Sequence, residues 1–133
     1  MSIVVLYVST AAIFLALDAL MLSRVIRPLF ETHLGEQLLT DLRLVPAVAF
    51  YLAYIAGVLW LVSVPALRDD APLQALIGGA VIGAMAYGTY EFTNYATLRD
   101  WHPTMVATDL LWGTVLTGFS AWAGLQVTRA LVA

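Results

Sequence analysis

Long apolar stretches dominate the pattern of hydrophobic and polar positions along this chain. A helix rises about 1.5 Å per residue, so about 20 apolar residues cross the roughly 30 Å hydrocarbon core of a bilayer. Four stretches reach that length. The pattern therefore predicts a single domain over residues 1–133 with four membrane-spanning helices, at about 3–23, 45–65, 73–96 and 104–128.

The first connection, residues 24–44, has a helical pattern of its own. Pro28 suits the first turn of a helix, and Phe30, Leu34 and Leu38 recur every four residues, although Gly35 weakens the pattern. The other two connections are short, which makes consecutive spans antiparallel neighbours. The predicted fold class is an all-α integral membrane protein, an antiparallel four-transmembrane-helix bundle with a short interfacial helix between the first and second spans.

Composition supports the bilayer as the solvent and the first partner of this chain. Of its 133 residues, 62% are hydrophobic and 11% are charged, whereas soluble domains have under half and about a quarter. A water-soluble fold of this length could not bury so much apolar surface. The net charge is −3 and Lys is absent, so no nucleic-acid partner is expected. The chain has no Cys, which removes disulfides and thiolate chemistry.

The distribution of Arg residues predicts the orientation. The first and third connections together have four Arg and the opposite side has two, which places both termini outside the cytoplasm. The residues compared are Arg24, Arg27, Arg43 and Arg99 against Arg68 and Arg129.

The N-terminal stretch lacks a basic start and is longer than the apolar run of a signal peptide, so we expect it to stay in the protein as a helix.

Three carboxylates interrupt the apolar spans: Asp18, Glu91 and Asp109. Each stands six to eight residues inside the same predicted membrane face, a depth of about 9–12 Å. A carboxylate facing lipid at the helix centre costs at least about 2.5 kcal/mol, so all three should point into the bundle. Burial and mutual repulsion disfavour three full charges there, which makes a shared proton or a bound cation the expected state.

Other polar side chains stand at the same depth. Tyr87, Glu91 and Asn94 share one face of the third span, and two tyrosines lie at a similar level in the second span. Such a layer suits either a functional site or a static hydrogen-bonded network. The candidate polar site comprises Asp18, Tyr51, Tyr54, Tyr87, Glu91, Asn94, Asp109 and Trp112, with Asp18, Glu91 and Asp109 as the candidate metal ligands.

The histidine and tryptophan side chains near the predicted membrane surface do not require a functional role. His33 and His102 stand at the predicted membrane surface, where an imidazole is well solvated, so a metal-ligating role is the less favoured interpretation. Trp60 and Trp101 are expected to be interfacial anchors or packing residues.

The segment AYGTYEFTNYATLRDW at residues 86–101, followed by DLLWGT at 109–114, resembles the signature of a bacterial family of small four-helix membrane proteins of unknown function. That family has a pattern like YxTY[DE]xTNxATxxxW and then DxxWG. The resemblance extends over nearly the whole chain. It implies four helices and a multi-pass location in the bacterial cytoplasmic (inner) membrane, and it assigns no activity.

Three classes of function stay open on this sequence. The first is proton- or cation-linked transport of a small substrate, which needs at least a homodimer because four helices are few for a carrier. The second is a membrane-embedded enzyme, lipid-modifying or metal-dependent, but no catalytic motif or cofactor signature indicates a reaction or a cofactor. The third is an accessory subunit or assembly factor of a larger membrane complex.

Overall fold

The computed structural model describes residues 1–132, and Ala133, the last residue of the predicted domain, lies outside that range. Within it, regular structure is entirely helical, as the sequence predicts. Four long helices follow one another along the chain. They are α1 (Ser2–Gln37), α2 (Leu44–Arg68), α3 (Pro72–Thr97) and α4 (Pro103–Val132).

Two of these helices, α1 and α2, are long and apolar enough to cross a membrane. The other two have 26 and 30 residues, well above the required length, but contain more Gly, Thr and other small or polar residues. Pro72 and Pro103 begin α3 and α4, at the position where the missing N–H costs nothing.

The predicted first span and the predicted interfacial helix are parts of one continuous helix. Pro28 stands in the first turn of the segment Arg27–Leu34, but this segment continues α1 through a π-helical turn at Leu22–Ile26. Proline has no N–H, and its ring clashes with the carbonyl four residues earlier, so a wider turn before it relieves both problems. The same solution occurs in α2, where a π-helical turn at Leu59–Ser63 precedes Pro65.

The segment Arg27–Leu34 packs against protein. Phe30 and Leu34 contact a buried cluster formed by Trp101, just before α4, and by Met105 and Val106 in its first turn. Gly35, with a φ of +57°, then ends the α-helical conformation of α1. The apolar face predicted for an interfacial helix therefore covers the third connection.

Polar contacts between the ends of the helices show which ends lie together. The Gln37 amide donates to Asp100 over 2.9 Å, which joins the end of α1 to the connection between α3 and α4. At the opposite end, Arg129 forms an ion pair with Asp70 over 2.9 Å, which joins the end of α4 to the turn after α2. Consecutive helices are therefore antiparallel.

Helix α4 lies at the centre of the packing, against α3 and α1, and twelve of its residues are buried. Small residues make this possible. A Cβ added at Gly79 would lie 2.8 Å from the Thr117 carbonyl oxygen, and one at Gly118 would lie 2.8 Å from that of Leu76. The spacing of Gly79 and Gly83 in the sequence corresponds to this close approach of α3 to α4.

The contact at Asp100 should make the end of α1 sensitive to pH. Hydrogen bonds from Arg99, at 3.0 Å, and from Gln37, at 2.9 Å, hold the pKa of the Asp100 carboxyl below its ordinary value. A depressed pKa stabilises the fold above the unfolded-state value of about 3.9, and this contribution is lost as the pH falls through the folded value. Amide-exchange protection at residues 35–38 should therefore decrease below about pH 4.

An Asp100→Asn variant should show the reduced protection already at neutral pH. Asp41→Asn, in the connection between α1 and α2, is the matched control. Equal protection in both variants would contradict a role for Asp100 in fixing the end of α1.

Candidate functional site

The three carboxylates are buried side chains contributed by three helices. Asp18 of α1 and Asp109 of α4 are each 8% exposed, and Glu91 of α3 is fully buried. The carboxyl groups of Glu91 and Asp109 are neighbours, and Asp18 also lies close to Asp109. The antiparallel arrangement of the helices thus brings residues far apart in sequence to one level of the protein.

A half-open cavity of about 430 Å³ lies among all four helices at this level. Asp18 and Asp109 are on its wall, whereas Glu91, a neighbour of Asp109, is outside the lining. None of the described residues that line it is Lys, Arg or His. We call this space the acidic cavity; its polar lining consists of Asp18, Tyr51, Tyr54, Tyr87, Tyr90 and Asp109.

Tyrosine side chains form much of this polar lining. Tyr51 lies close to both Asp18 and Tyr87, and the Tyr54 hydroxyl is hydrogen-bonded to that of Thr117 over 2.9 Å. The buried ring of Phe14 packs against Tyr51 and Tyr54, with centroids 5.5 and 5.9 Å away, and fixes their positions.

The Tyr87 hydroxyl differs from the others. It is buried and has no hydrogen-bond partner among the described residues. A buried polar group without a partner is rare in native proteins, and an ordered water or a ligand commonly completes it. A water or ligand in the cavity could therefore bind to the Tyr87 hydroxyl, which lies beside Tyr51.

Two indole groups donate to the carboxylates. Trp112 Nε1 donates to Asp18 Oδ1 over 3.1 Å, and Trp101 Nε1 donates to Glu91 Oε1 over 2.9 Å. Trp101 is also packed between the rings of Phe30 and Tyr90, at centroid distances of 5.3 and 5.8 Å. It is a buried packing residue as well as a donor to Glu91, whereas Trp60 is 79% exposed.

The second oxygen of Glu91 has no donor. Oε2 is buried and unpartnered among the described residues, and the neighbouring group is the Asp109 carboxyl. Two carboxylates cannot hydrogen-bond to each other unless one of them holds a proton. A proton held between Glu91 and Asp109 would satisfy both groups.

Not all predicted site residues meet in the cavity. Asn94 is half-buried and lies near Tyr90, and Trp112 is outside the cavity lining and donates to Asp18. Tyr90 lines the cavity and was not predicted. Its spacing of three residues from Tyr87 is the sequence signal that indicates a shared helix face.

The imidazoles of His33 and His102 come together at the end of the protein where Gln37 contacts Asp100. Their rings stack with centroids 4.3 Å apart and an interplanar angle of 14°, a geometry that does not converge on a shared ion. Within residues 1–132, no group of three or more His, Cys, Asp or Glu side chains is arranged to hold a metal ion.

Comparisons with known proteins give one match. A family model described as "Predicted membrane protein (DUF2177)" matches residues 3–126, which includes every residue of the acidic cavity. No curated protein and no solved structure matches the chain.

Proposed function

The chain belongs to the DUF2177 family of predicted membrane proteins, and from this premise we propose that all four of its helices cross the bilayer. Helices α3 and α4, with 26 and 30 residues, exceed the roughly 20 residues that a span needs. They are antiparallel neighbours of α1 and α2, so a membrane crossed by the first two helices also contains the other two.

The Arg distribution supports an orientation with both termini outside the cytoplasm, in a bacterial cytoplasmic membrane. Arg24, Arg27, Arg43 and Arg99 lie at the end of the protein where the Gln37–Asp100 contact joins the first and third connections. Positive charge is enriched in cytoplasmic connections, so this end faces the cytoplasm.

For function, we propose a carrier that exchanges protons for a cationic substrate in the acidic cavity. The observation that supports it is the position of Asp18 and Asp109 on one cavity wall that has no basic residue among its described members. In a low-dielectric site an unpaired carboxylate is costly, so each needs a proton or a cation. Because both occupants use the same carboxylates, a cation that enters displaces a proton.

Proteoliposomes with a trapped pH dye test the exchange. Inward gradients of sodium, potassium, tetramethylammonium and dodecyltrimethylammonium, each below lytic concentration, are applied in turn. At least one of these cations should make the lumen alkaline, because protons leave as the cation enters. The Asp18→Asn/Asp109→Asn double variant should lose the response.

Glu36→Gln is the matched control, because Glu36 is an exposed carboxylate outside the cavity, and it should keep the response. Absence of alkalinisation with every cation would contradict the proposal. Persistence of the full response in the double variant would contradict it equally.

A second candidate function, an accessory subunit of a membrane complex, is favoured by the indole donors. The bonds from Trp112 to Asp18 and from Trp101 to Glu91 are contacts that a static structural network would use. For that function, replacement of the three carboxylates by Asn and Gln should lower stability only. With the native protein, none of the four cations should change the lumenal pH.

A further inference from the structure

The acidic cavity continues as an apolar groove along α1. After Asp18, the side chains of Leu22, Ile26 and Phe30 line the same space. In a regular α-helix each step of four residues overshoots a turn by about 40°, so four such residues would drift apart around the helix. The π-helical turn at Leu22–Ile26 is wider and reduces this drift. The resulting apolar stripe runs about 18 Å from Asp18 toward the membrane surface.

The other wall of the groove is the N-terminal half of α2. Ala47 and Phe50 line the cavity, yet residues 44–50 are all exposed, and Phe50 is 67% exposed. Helix α2 joins the core only further along, through buried residues from Ile55 to Ala66. The cavity is therefore open sideways at this exposed half of α2, at a level where the proposed four-span arrangement places lipid.

We propose that the cationic substrate is an amphiphile, an organic cation with a single apolar tail, which enters from the bilayer beside the N-terminal half of α2. This inference rests on the proposed exchange function and names its substrate class. The cationic head lies at Asp18 and Asp109, and the tail lies along Leu22, Ile26 and Phe30.

Three features of the cavity favour this class over others. The carboxylates are without basic neighbours on the wall, so an anionic head would be repelled and a cation attracted. The tyrosine rings that surround them suit an alkylated ammonium group, which binds to aromatic faces and needs no donor. The groove itself has only apolar side chains, which a hydrated inorganic cation could not use.

Binding to the protein in lipid nanodiscs tests the substrate class. Dodecyltrimethylammonium, tetramethylammonium and dodecyl sulfate are titrated separately in a weakly buffered solution that contains a pH dye. Dodecyltrimethylammonium should release protons with an apparent affinity at least about tenfold higher than tetramethylammonium, because its tail concentrates it in the bilayer and fills the groove. Dodecyl sulfate should release none.

Two variants separate groove binding from simple partition into lipid. Ala47→Trp fills the groove with apolar bulk at an exposed position, and should weaken the response to dodecyltrimethylammonium at least about tenfold while tetramethylammonium keeps its response. Ala53→Trp is the matched control, since Ala53 is an exposed residue of α2 outside the cavity lining. It should behave like the native protein.

The possible failures differ from one another. If both ammonium ions release protons with equal affinity and Ala47→Trp changes neither response, exchange stands and the amphiphile inference is wrong. If dodecyl sulfate competes with dodecyltrimethylammonium, the groove is a nonspecific apolar surface and the inference is also wrong. If neither ammonium ion releases protons but sodium or potassium still drives exchange in proteoliposomes, only the amphiphile inference is wrong. If no cation gives a response in either experiment, the proposed function fails with it.

Discussion

Replacing Gly83 with Ala should destabilise the protein by about 1–3 kcal/mol, the range for overpacking a close-packed interior. A Cβ at Gly83 would press on the carbonyl oxygen of Gly113 and lie 2.9 Å from Oγ1 of Thr117. The first of these atoms belongs to the backbone of α4, so relief requires the two helices to separate. In lipid no hydrophobic force would draw them together again, because close contact is what holds such helices.

Gly57→Ala supplies the matched control for this prediction. Both glycines are in the interior of a helix, but a Cβ at Gly57 has no atom within 4 Å. That variant should be unchanged or more stable by about 0.5–1 kcal/mol, because Ala loses less backbone freedom than Gly on folding. Unfolding in mild detergent with increasing SDS, followed by circular dichroism, measures both. Equal effects at the two positions would contradict a close α3–α4 contact.

The helical class could be predicted because the signal is local. Each stretch of apolar residues is long, and Pro72 and Pro103 stand at the starts of α3 and α4. The continuity of α1 through Pro28 could not be predicted in this way. A proline favours a helix start and also permits a helix with a widened preceding turn, and packing of Phe30 on Trp101 decides between the two.

The sequence predicts the depth of the site residues along their helices better than the direction in which their side chains point. Counting residues from the membrane surface predicts the level of Asp18, Glu91 and Asp109, because helical rise is constant. The rotation of each helix about its axis depends on its neighbours and is not set by the sequence of that helix. The sequence therefore groups Asn94 with Tyr87, although Asn94 lies outside the cavity lining. The function of these residues stays a prediction.

The bond from Trp101 to Glu91 was also not predicted. Trp101 stands in the connection between α3 and α4, where no periodicity indicates the direction of a side chain. Only the fold shows that this connection returns over the end of α3 and places the indole on a fully buried carboxyl group.

Trp101→Phe should therefore cost about 1–3 kcal/mol of stability, the penalty for leaving a buried polar group without its partner. Phenylalanine keeps an aromatic ring between Phe30 and Tyr90 but removes the N–H that donates to Glu91 Oε1 over 2.9 Å. Because Oε2 of Glu91 has no donor among the described residues either, the carboxyl would then lack both. Trp60→Phe, at a 79% exposed position, should change stability by less than about 0.5 kcal/mol.

A double-mutant cycle distinguishes the lost hydrogen bond from lost packing. Glu91→Met removes the buried acceptor and keeps a side chain of similar length, so Trp101→Phe should cost little in that background. The expected coupling between the two positions is at least about 1 kcal/mol, measured by the same SDS unfolding. Additive losses would mean that Trp101 acts through ring packing alone. If the two positions are coupled and the Trp101→Phe protein keeps its cation-driven proton release, the bond serves the fold. This is the expected result, because Glu91 does not line the cavity.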